Sequence, residues 1–219
     1  MIRRVYEQAL KCTLLDELVI ATDDQRIIDC IRSFKGNVLM TAETLNSGTE
    51  RCNAAIEMLD GHTGFDVVIN IQGDEPFIDP GQISEVAELF HKKDVLIGTL
   101  VKKITRPEDL ADPNIVKVVF DKNYRALYFS RNAIPYFRGP GITEWHREKK
   151  YYKHIGIYGY RTEILREITH LPVSPLETAE SLEQLRWLEN GYAIHVRETH
   201  HESIAIDTPK DLLKITNRS

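Results

Sequence analysis

Two aspartates that follow short apolar runs are the residues of this sequence best placed to do chemistry. Residues 67–71 lead to Asp74, and residues 204–206 lead to Asp207. A buried strand that ends in an acid carries that acid to the carboxyl edge of an open α/β sheet, where ligands bind. Because Mg²⁺ prefers oxygen ligands, Asp74 and Asp207 could together bind one Mg²⁺ ion.

Each of the two aspartates also has a structural interpretation. Asp74 stands before Pro76 and could form a turn, but Gln72 lies on the same side of the extended chain, which favours a common ligand. Asp207 precedes Thr208-Pro209, a helix start at which an acid stabilises the helix dipole. From the local sequence alone we interpret Asp74 as functional and Asp207 as structural.

The segment Ser47-Gly48-Thr49-Glu50-Arg51 is a candidate nucleotide contact. Ser47 and Glu50 match a capping box, which is the simpler account of those two side chains. Amide groups at a helix N-terminus also bind phosphate, and Arg51 could reach a nucleotide. Both interpretations remain open.

A strand over residues 153–160 offers a second group of polar side chains. Alternation places His154, Gly156, Tyr158 and Tyr160 on one face. An imidazole, a bare glycine and two phenols around an open space suit a hydroxylated acid, although a single strand histidine is more often a packing residue.

Three further residues have an ordinary interpretation beside a functional one. Arg131 follows a strand and could hold a carboxylate or pair with a surface acid. Glu183 and Gln184 lie beside the apolar stripe of a helix, where the usual environment is solvent. We treat the histidines His195, His200 and His201 as surface residues, because they lack the spacing of zinc ligands.

Composition restricts the class of protein. The 219 residues are 42% hydrophobic, which is sufficient for the core of one large domain. The net charge of −5 argues against nonspecific nucleic-acid binding. We interpret the cysteines Cys12, Cys30 and Cys52 as reduced packing residues within helices, and no apolar run has membrane-spanning length. These features predict a cytoplasmic protein.

The elements that must position these residues alternate between helix and strand. Strands are predicted at 18–22, 38–40, 67–71 and 95–101, with helices before, between and after them, which is typical of βαβ units. Closely spaced strands at 116–120, 126–129 and 155–160 predict an antiparallel section. Residues 137–153 are predicted as a loop or arm that could form a dimer contact. Further helix starts are predicted at the capping boxes of Asp79 and Ser174.

Taken together, these segments resemble one family over essentially the whole sequence. The resemblance is carried by LNSGTER at 45–51, NIQGDEP at 70–76, ALYFSR at 126–131, HIGIYGY at 154–160, SPLE at 174–177, LEQLR at 182–186 and IDTP at 206–209. In order and spacing they are similar to the 3-deoxy-manno-octulosonate (Kdo) cytidylyltransferases, also called CMP-Kdo synthetases. HIGIYGY and LEQLR separate this sequence from the CMP-sialic acid synthetases.

The resemblance implies an α/β fold of the nucleotide-diphospho-sugar transferase type. Its expected form is three-layered, with a mixed, mostly parallel sheet and a smaller antiparallel section. We expect one domain over residues 1–219, with residues 110–153 on the substrate side and in a homodimer contact.

The resemblance also implies an activity: CTP and Kdo would give CMP-Kdo and pyrophosphate for lipopolysaccharide biosynthesis, with Mg²⁺ as cofactor. Asp74 and Asp207 would bind the metal, which changes the interpretation of Asp207 to functional. The implied Kdo contacts are Gln72, Arg131, His154, Tyr158, Glu183 and Gln184, and the implied nucleotide contacts are Ser47, Thr49 and Arg51.

One segment of the family pattern has no match. Family members carry a strand and a phosphate-binding loop resembling IPARxxSxRxPGKxL, which would precede the position of Met1. The strand would occupy the middle of the sheet, and its loss would leave backbone partners unsatisfied. We therefore expect the chain as written to have little cytidylyltransferase activity. The alternatives are a CMP-sialic acid synthetase-like or other sugar-acid nucleotidyltransferase, or a noncatalytic sugar-acid-binding protein.

Overall fold

A computed structural model describes residues 1–59, 64–139 and 141–201. In chain order the described elements are α1 (Ile2–Ala9), β1 (Ile20–Thr22), α2 (Gln25–Ser33), β2 (Val38–Met40), α3 (Gly48–Leu59), β3 (Val67–Asn70), α4 (Pro80–Leu89), β4 (Ile97–Lys103), α5 (Pro107–Ala111), β5 (Lys117–Phe120), β6 (Ala126–Ser130), α6 (Ile142–Glu148), β7 (Tyr152–Arg161), α7 (Thr162–Thr169), α8 (Pro175–Glu180), α9 (Gln184–Glu189) and β8 (Ile194–Glu198). None of the described helices has the length and apolar character that crossing a bilayer requires.

The fold is α/β with a mixed sheet, as the sequence predicts. A six-stranded sheet has the order β6-β5-β7-β4-β8, with β3 also paired to β7, and β1 and β2 form a separate pair. The β1–β2 and β4–β8 pairs are parallel, whereas β7 runs antiparallel to β3, β4 and β5. Among the described strand pairs the antiparallel section is therefore larger than expected, because β7 is long enough to pair with three strands.

The two faces of β7 contribute to different hydrophobic cores. Tyr158 and Tyr160 pack with Trp187 in one cluster, while Ile155 and Ile157 pack with helix α4 in the other. This division follows the alternation of side chains along a strand. The predicted common face of the β7 polar residues is thus present in the fold.

Helix starts are confirmed where capping residues predict them. Asp79 accepts a hydrogen bond from the Gly81 amide at 2.8 Å, and Ser174 forms a capping box with Glu177. These bonds satisfy amides that have no partner inside the helix.

The predicted arm at residues 137–153 is wrong in part. Residues 142–148 form α6, and the last two residues of the segment already belong to β7. Trp145 of α6 stacks on Tyr151 with ring centroids 6.0 Å apart, so a contact outside the helix stabilises it. Burial of an aromatic pair overrides the polar, glycine-containing character of the segment.

Three further expectations about single residues are wrong. Cys30 is exposed and does not serve as a packing residue, and the buried Cys12 follows α1 instead of lying in a helix. His195 is buried in β8, where burial lowers the pKa of its imidazole. His200 is exposed as predicted, whereas His201 lies 3.1 Å from the Asp79 carboxylate.

Candidate functional site

The start of helix α3 is capped by side chains. The Glu50 amide donates to Ser47 Oγ at 3.1 Å, and the Glu50 carboxylate accepts from the Asn46 amide at 2.6 Å. The expected capping box is present in altered form, since Glu50 reaches the residue before Ser47. The structural interpretation of Ser47 and Glu50 is correct.

Thr49 connects α3 to the segment before α9. Its hydroxyl donates to Glu183 Oε2 at 2.8 Å, and Ser47 also hydrogen-bonds to this carboxylate. Burial raises the pKa of Glu183, and these hydrogen bonds oppose the rise because they favour the charged form. The structure therefore brings together residues that the resemblance assigns to the nucleotide and to the sugar.

Arg51 ties the ends of β1 and β2 to α3. Its guanidinium donates to Thr41 Oγ1 at 2.6 Å and pairs with Asp23 at 2.8 Å. Asp23 directly follows β1, and Thr41 directly follows β2. Arg51 thus has a structural role in this conformation, at the carboxyl end of both strands.

Three residues of β7 line a polar area on one face of the sheet. His154 and Tyr158 have ring centroids 5.1 Å apart, and Tyr158 packs edge-on against Trp187 at 5.2 Å. The Tyr158 hydroxyl is buried and has no hydrogen-bond partner within the described residues. A β-carbon at Gly156 would meet no atom within 4 Å, so there is open space beside the two rings. A buried hydroxyl without a partner is costly, and a ligand in that space could satisfy it.

Thr99 of β4 sets the protonation of the His154 ring. Thr99 is fully buried, and its hydroxyl donates to the Ile157 carbonyl at 2.7 Å. The same oxygen lies 3.0 Å from His154 Nε2. A hydroxyl has only one proton, and because the Ile157 carbonyl is its shortest acceptor we infer that the imidazole donates from Nε2, which leaves Nδ1 as an acceptor. Burial lowers the pKa of His154 to about 3, which keeps the ring neutral at pH 7.

Glu183 and Gln184 do not lie on a solvated helix face. Gln184 is buried at the start of α9, and Glu183 is partly buried against Thr49. The α8–α9 corner is held by Arg186, which pairs with Glu177 at 2.6 Å. The expectation of solvent exposure is wrong because Glu183 bonds Thr49 of α3 and Trp187 of α9 packs against Tyr158 of β7.

Arg131 fixes the end of β6 to α8. Its guanidinium donates to the Glu180 carbonyl at 2.7 Å and to the Pro113 and Ser181 carbonyls at 3.2 Å. The Arg131 carbonyl in turn accepts a hydrogen bond from Lys117, whose ammonium is fully buried. These contacts give Arg131 a structural role, and its expected contact with a sugar carboxylate remains a prediction.

Gln72 and Asp74 follow β3, as predicted. Gln72 is exposed and Asp74 is partly buried. No cluster of three or more potential metal-ligating side chains occurs within residues 1–59, 64–139 and 141–201. Asp207 lies outside the described residues, so the paired-acid site stays a prediction to which the structure contributes one acid.

Three contributors to this area were not found from the sequence. They are Thr99, Trp187 and the hydrogen bond between Thr49 and Glu183. Thr99 gave a detectable signal, because it is a hydroxyl residue inside the apolar run of β4. The contact between Thr49 and Glu183 joins residues 134 positions apart, and no local pattern reports it.

A solved structure similar to this chain defines the class of protein. It is described as CMP:2-keto-3-deoxy-manno-octonic acid synthetase complexed with CTP, and it is 36% identical with a TM-score of 0.89 over 99% of this chain and 86% of that chain. Its α/β fold covers the elements that carry the candidate site. The fold and the site together define an α/β nucleotidyltransferase.

Sequence comparison gives the family. The family described as Cytidylyltransferase matches residues 1–204. The 3-deoxy-manno-octulosonate cytidylyltransferase of Parabacteroides distasonis is 51% identical over 98% of this chain and 85% of its own length. That of Bacteroides thetaiotaomicron is 52% identical over 97% and 84%. The chain belongs to the cytidylyltransferase family.

Proposed function

We propose that this chain transfers the cytidylyl group of CTP to Kdo, which yields CMP-Kdo and pyrophosphate. The proposal is supported by relatives at about half identity over nearly the whole chain, each named for this reaction. It is also supported by a similar solved structure that holds CTP. The proposed product serves lipopolysaccharide biosynthesis, as the sequence resemblance implies.

The single observation in this chain that carries the proposal is the unsatisfied Tyr158 hydroxyl beside His154. A sugar acid has several hydroxyls that both donate and accept hydrogen bonds. One of them can accept from Tyr158 while another donates to Nδ1 of His154, the nitrogen that Thr99 leaves without a proton. Gly156 leaves the space that the sugar ring needs.

Glu183 and Gln184 complete the proposed sugar site. Glu183 is within 2.8 Å of the Thr49 hydroxyl, so the sugar side and the start of α3 are adjacent. Substrate binding in a partly buried site pre-positions the attacking hydroxyl, which removes much of the entropic barrier of a two-substrate reaction. Gln72, which follows β3, and Arg131, which follows β6, are proposed as further Kdo contacts.

The start of α3 is the proposed nucleotide side. Free amide groups in the first turn of α3 attract phosphate oxygens. Ser47 and Thr49 hold this turn to Glu183, and Arg51 holds it to β1 and β2. We propose that the triphosphate lies across this turn and that the Kdo 2-hydroxyl attacks the α-phosphorus, with pyrophosphate as the leaving group.

Asp74 is the described residue that would hold Mg²⁺, together with Asp207. The oxygen donors of two carboxylates fit this cation. Bound Mg²⁺ supplies neutralisation of phosphate charge and alignment of the leaving group. Asp74 follows β3 and so lies at the same end of that strand as the start of α3, since Asn70 contacts Gly48 there.

A cytoplasmic homodimer is part of the proposal. The proposed location follows from the substrate, because CTP is a cytoplasmic metabolite. We propose residues 110–153 as the dimer contact. The exposed Tyr136, which stacks edge-on against Trp145 at 5.2 Å, provides an apolar surface there.

Titration calorimetry with Kdo tests the proposal. Replacing the unsatisfied phenol, Tyr158→Phe, is expected to weaken Kdo binding about tenfold with no loss of thermal stability. The matched control is Tyr192→Phe, whose hydroxyl bonds Glu167 near the surface at 2.9 Å and should not affect Kdo. Mass-spectrometric detection of CMP-Kdo after incubation with CTP and Mg²⁺ tests the reaction.

The outcomes separate the alternatives. Binding of Kdo and Mg²⁺-dependent formation of CMP-Kdo would support the proposed reaction. Binding of Kdo without binding of CTP would favour a noncatalytic sugar-acid-binding protein. Failure to bind Kdo at millimolar concentration would refute the proposed function.

A further inference from the structure

Thr49 is almost completely buried at the start of α3. Only 2% of its surface is exposed, although the neighbouring Gly48 is exposed. A side chain that binds a nucleotide must present its hydroxyl to the space that the nucleotide occupies. The Thr49 hydroxyl instead has its contacts inside the protein.

The first of these contacts is Glu183. The Thr49 hydroxyl donates to Glu183 Oε2 at 2.8 Å. A hydroxyl has one proton and two lone pairs, whereas an ionised carboxylate can only accept. The proton of Thr49 is therefore directed to Glu183, and only its lone pairs are left for other groups.

Tyr160 lies beside the same hydroxyl. Its phenol oxygen is 3.5 Å from Thr49 Oγ1, and the residue is fully buried. Because Thr49 gives its proton to Glu183, its oxygen can only accept from the phenol. The hydroxyl is thus enclosed between Glu183 and Tyr160, away from any bound nucleotide.

Asn70, the last residue of β3, fixes this arrangement from the other side. Its side chain hydrogen-bonds to the Tyr160 phenol. It also lies against the start of α3, where a β-carbon at Gly48 would be 3.1 Å from Asn70 Nδ2. Glycine permits this close approach of the backbone. The position of Thr49 is therefore set by both β3 and β7.

Ser47 gives the Glu183 carboxylate a second donor. The Ser47 oxygen accepts from the Glu50 amide at 3.1 Å, which leaves its proton free to be donated. Its side chain hydrogen-bonds to Glu183. Burial raises the pKa of Glu183, and both hydroxyl donors oppose that rise because they favour the charged form.

Other ionisable groups also lie near Glu183. They are Cys52 of α3, Tyr158 and Tyr160 of β7, Glu177 of α8 and Arg186 of α9. Arg186 favours the charged carboxylate and Glu177 opposes it, but these two residues are paired with each other at 2.6 Å. Their effects on Glu183 therefore oppose one another, and the hydroxyl donors of α3 remain to counter its burial.

Glu183 is also close to the proposed sugar. Burial raises the pKa of the Tyr158 phenol, and the nearby Tyr160 and Glu183 raise it further. Tyr158 is the residue whose hydroxyl has no hydrogen-bond partner in the described part of the chain. A carboxylate has about four acceptor positions, so two protein hydroxyls leave some of them for a ligand.

We propose that Thr49 is a positioning residue of the sugar side, whose hydroxyl, together with that of Ser47, holds Glu183 in place as a charged acceptor for Kdo hydroxyls. The inference rests on the proposed function for the identity of the sugar. It differs from the sequence resemblance, which implies that Thr49 contacts the nucleotide. The backbone amides of the same turn stay on the nucleotide side, so one turn serves both substrates.

Carbon-13 NMR of the Glu183 carboxylate measures the effect of Thr49 directly. Thr49→Val has nearly the same shape but lacks the donor, so Glu183 should titrate at a higher pH than in the unaltered chain. Thr49→Ser keeps the hydroxyl and should restore the original titration. The matched control is Thr162→Val, because Thr162 is also buried but donates to the Phe65 carbonyl. It should not change the titration of Glu183.

A second variant tests the same point at a less buried position. Ser47 is only partly buried, so Ser47→Ala disturbs the packing less than a change at Thr49 does. It removes the other hydroxyl donor of Glu183. We expect it to shift the Glu183 titration in the same direction, and an unchanged titration in both variants would contradict the inference.

Titration calorimetry with Kdo and with CTP distinguishes the two roles of Thr49. Thr49→Val should weaken Kdo binding about tenfold at pH 7, because Glu183 loses a hydrogen bond that holds it. Kdo binding should also weaken further as the pH falls and Glu183 takes up a proton, and this decline should begin at a higher pH than in the unaltered chain. Binding of CTP should be unchanged.

The outcomes separate this inference from the proposed function. A higher titration midpoint of Glu183 and weaker Kdo binding in Thr49→Val, both restored in Thr49→Ser, support it. Loss of CTP binding with Kdo binding intact overturns it and leaves the proposed function standing. If the unaltered chain does not bind Kdo, the proposed function is refuted, and the assignment of Thr49 to the sugar is refuted with it.

Discussion

Replacing Thr99 with valine should change the proton position on His154. Valine has nearly the shape of threonine but cannot accept the hydrogen bond from Nε2, which Thr99 Oγ1 receives at 3.0 Å. It also cannot donate to the Ile157 carbonyl, now bonded at 2.7 Å. The neutral ring would then favour the tautomer with its proton on Nδ1, because Nε2–H would be buried without an acceptor.

The size of the effect follows from the two lost hydrogen bonds. Each buried group left without a partner costs about 1–3 kcal/mol, so the two groups together should lower the free energy of unfolding of Thr99→Val by about 2–6 kcal/mol. Kdo binding should weaken about tenfold, equivalent to about 1.4 kcal/mol, because Nδ1 can no longer accept a hydroxyl proton. Thr99→Ser keeps the hydroxyl and should retain both the tautomer and Kdo binding.

Nitrogen-15 NMR of the His154 ring measures the tautomer directly, since protonated and unprotonated ring nitrogens resonate far apart. Burial lowers the pKa of His154 to about 3, so the spectrum at pH 7 reports the neutral ring. We expect Nδ1 to be the unprotonated nitrogen in the wild type and in Thr99→Ser, and Nε2 in Thr99→Val. An unchanged tautomer in Thr99→Val would show that Thr99 does not orient the ring.

Three other changes have defined outcomes. Glu183→Gln should leave the free energy of unfolding at pH 7 unchanged or higher in urea titrations, because burial penalises the charged carboxylate, yet it should weaken Kdo binding measured by calorimetry. Burial lowers the pKa of His154 to about 3, so between about pH 6.5 and 3 the unfolded chain binds a proton that the folded chain does not. The free energy of unfolding should therefore fall as the pH drops through this range, by at most about 1.4 kcal/mol per pH unit. His154→Gln should remove this contribution, which unfolding curves at pH 7 and pH 5 measure. Gly156→Ala should fold normally, because the added methyl enters open space, but it should reduce Kdo affinity because that space is the proposed sugar site. Gly159→Ala should lower the melting temperature, because its β-carbon would lie 2.5 Å from Phe90.

Alternation along β7 made the common face of His154, Gly156 and Tyr158 predictable. A strand that alternates between His154, Gly156 and Tyr158 on one side and isoleucines on the other has only one arrangement that buries both isoleucines. The helix starts at Asp79 and Ser174 were predictable for a similar reason, since a capping bond involves residues only a few positions apart.

Contacts between distant segments were not predictable in this way. The environment of Glu183 is determined by Thr49 on another helix, and that of Arg131 by carbonyls around α8 and Pro113. Helix α6 is stabilised by stacking of Trp145 on Tyr151, which the local composition of its segment does not indicate. Periodicity reports which face is buried but not which residue covers it.

Acylation of the buried Lys117 amine can measure local opening of the folded chain. Its ammonium donates to the carbonyls of Asp112, Ile115 and Arg131 and has no exposed surface, so an acylating reagent reaches it only when the region between β5 and α8 separates. Burial lowers the pKa of this amine only while it is covered, so after opening it reacts with the reagent as an ordinary lysine does. Pulse labelling with acetic anhydride, followed by mass spectrometry of the peptide that contains Lys117, would therefore measure how often the structure around this residue opens.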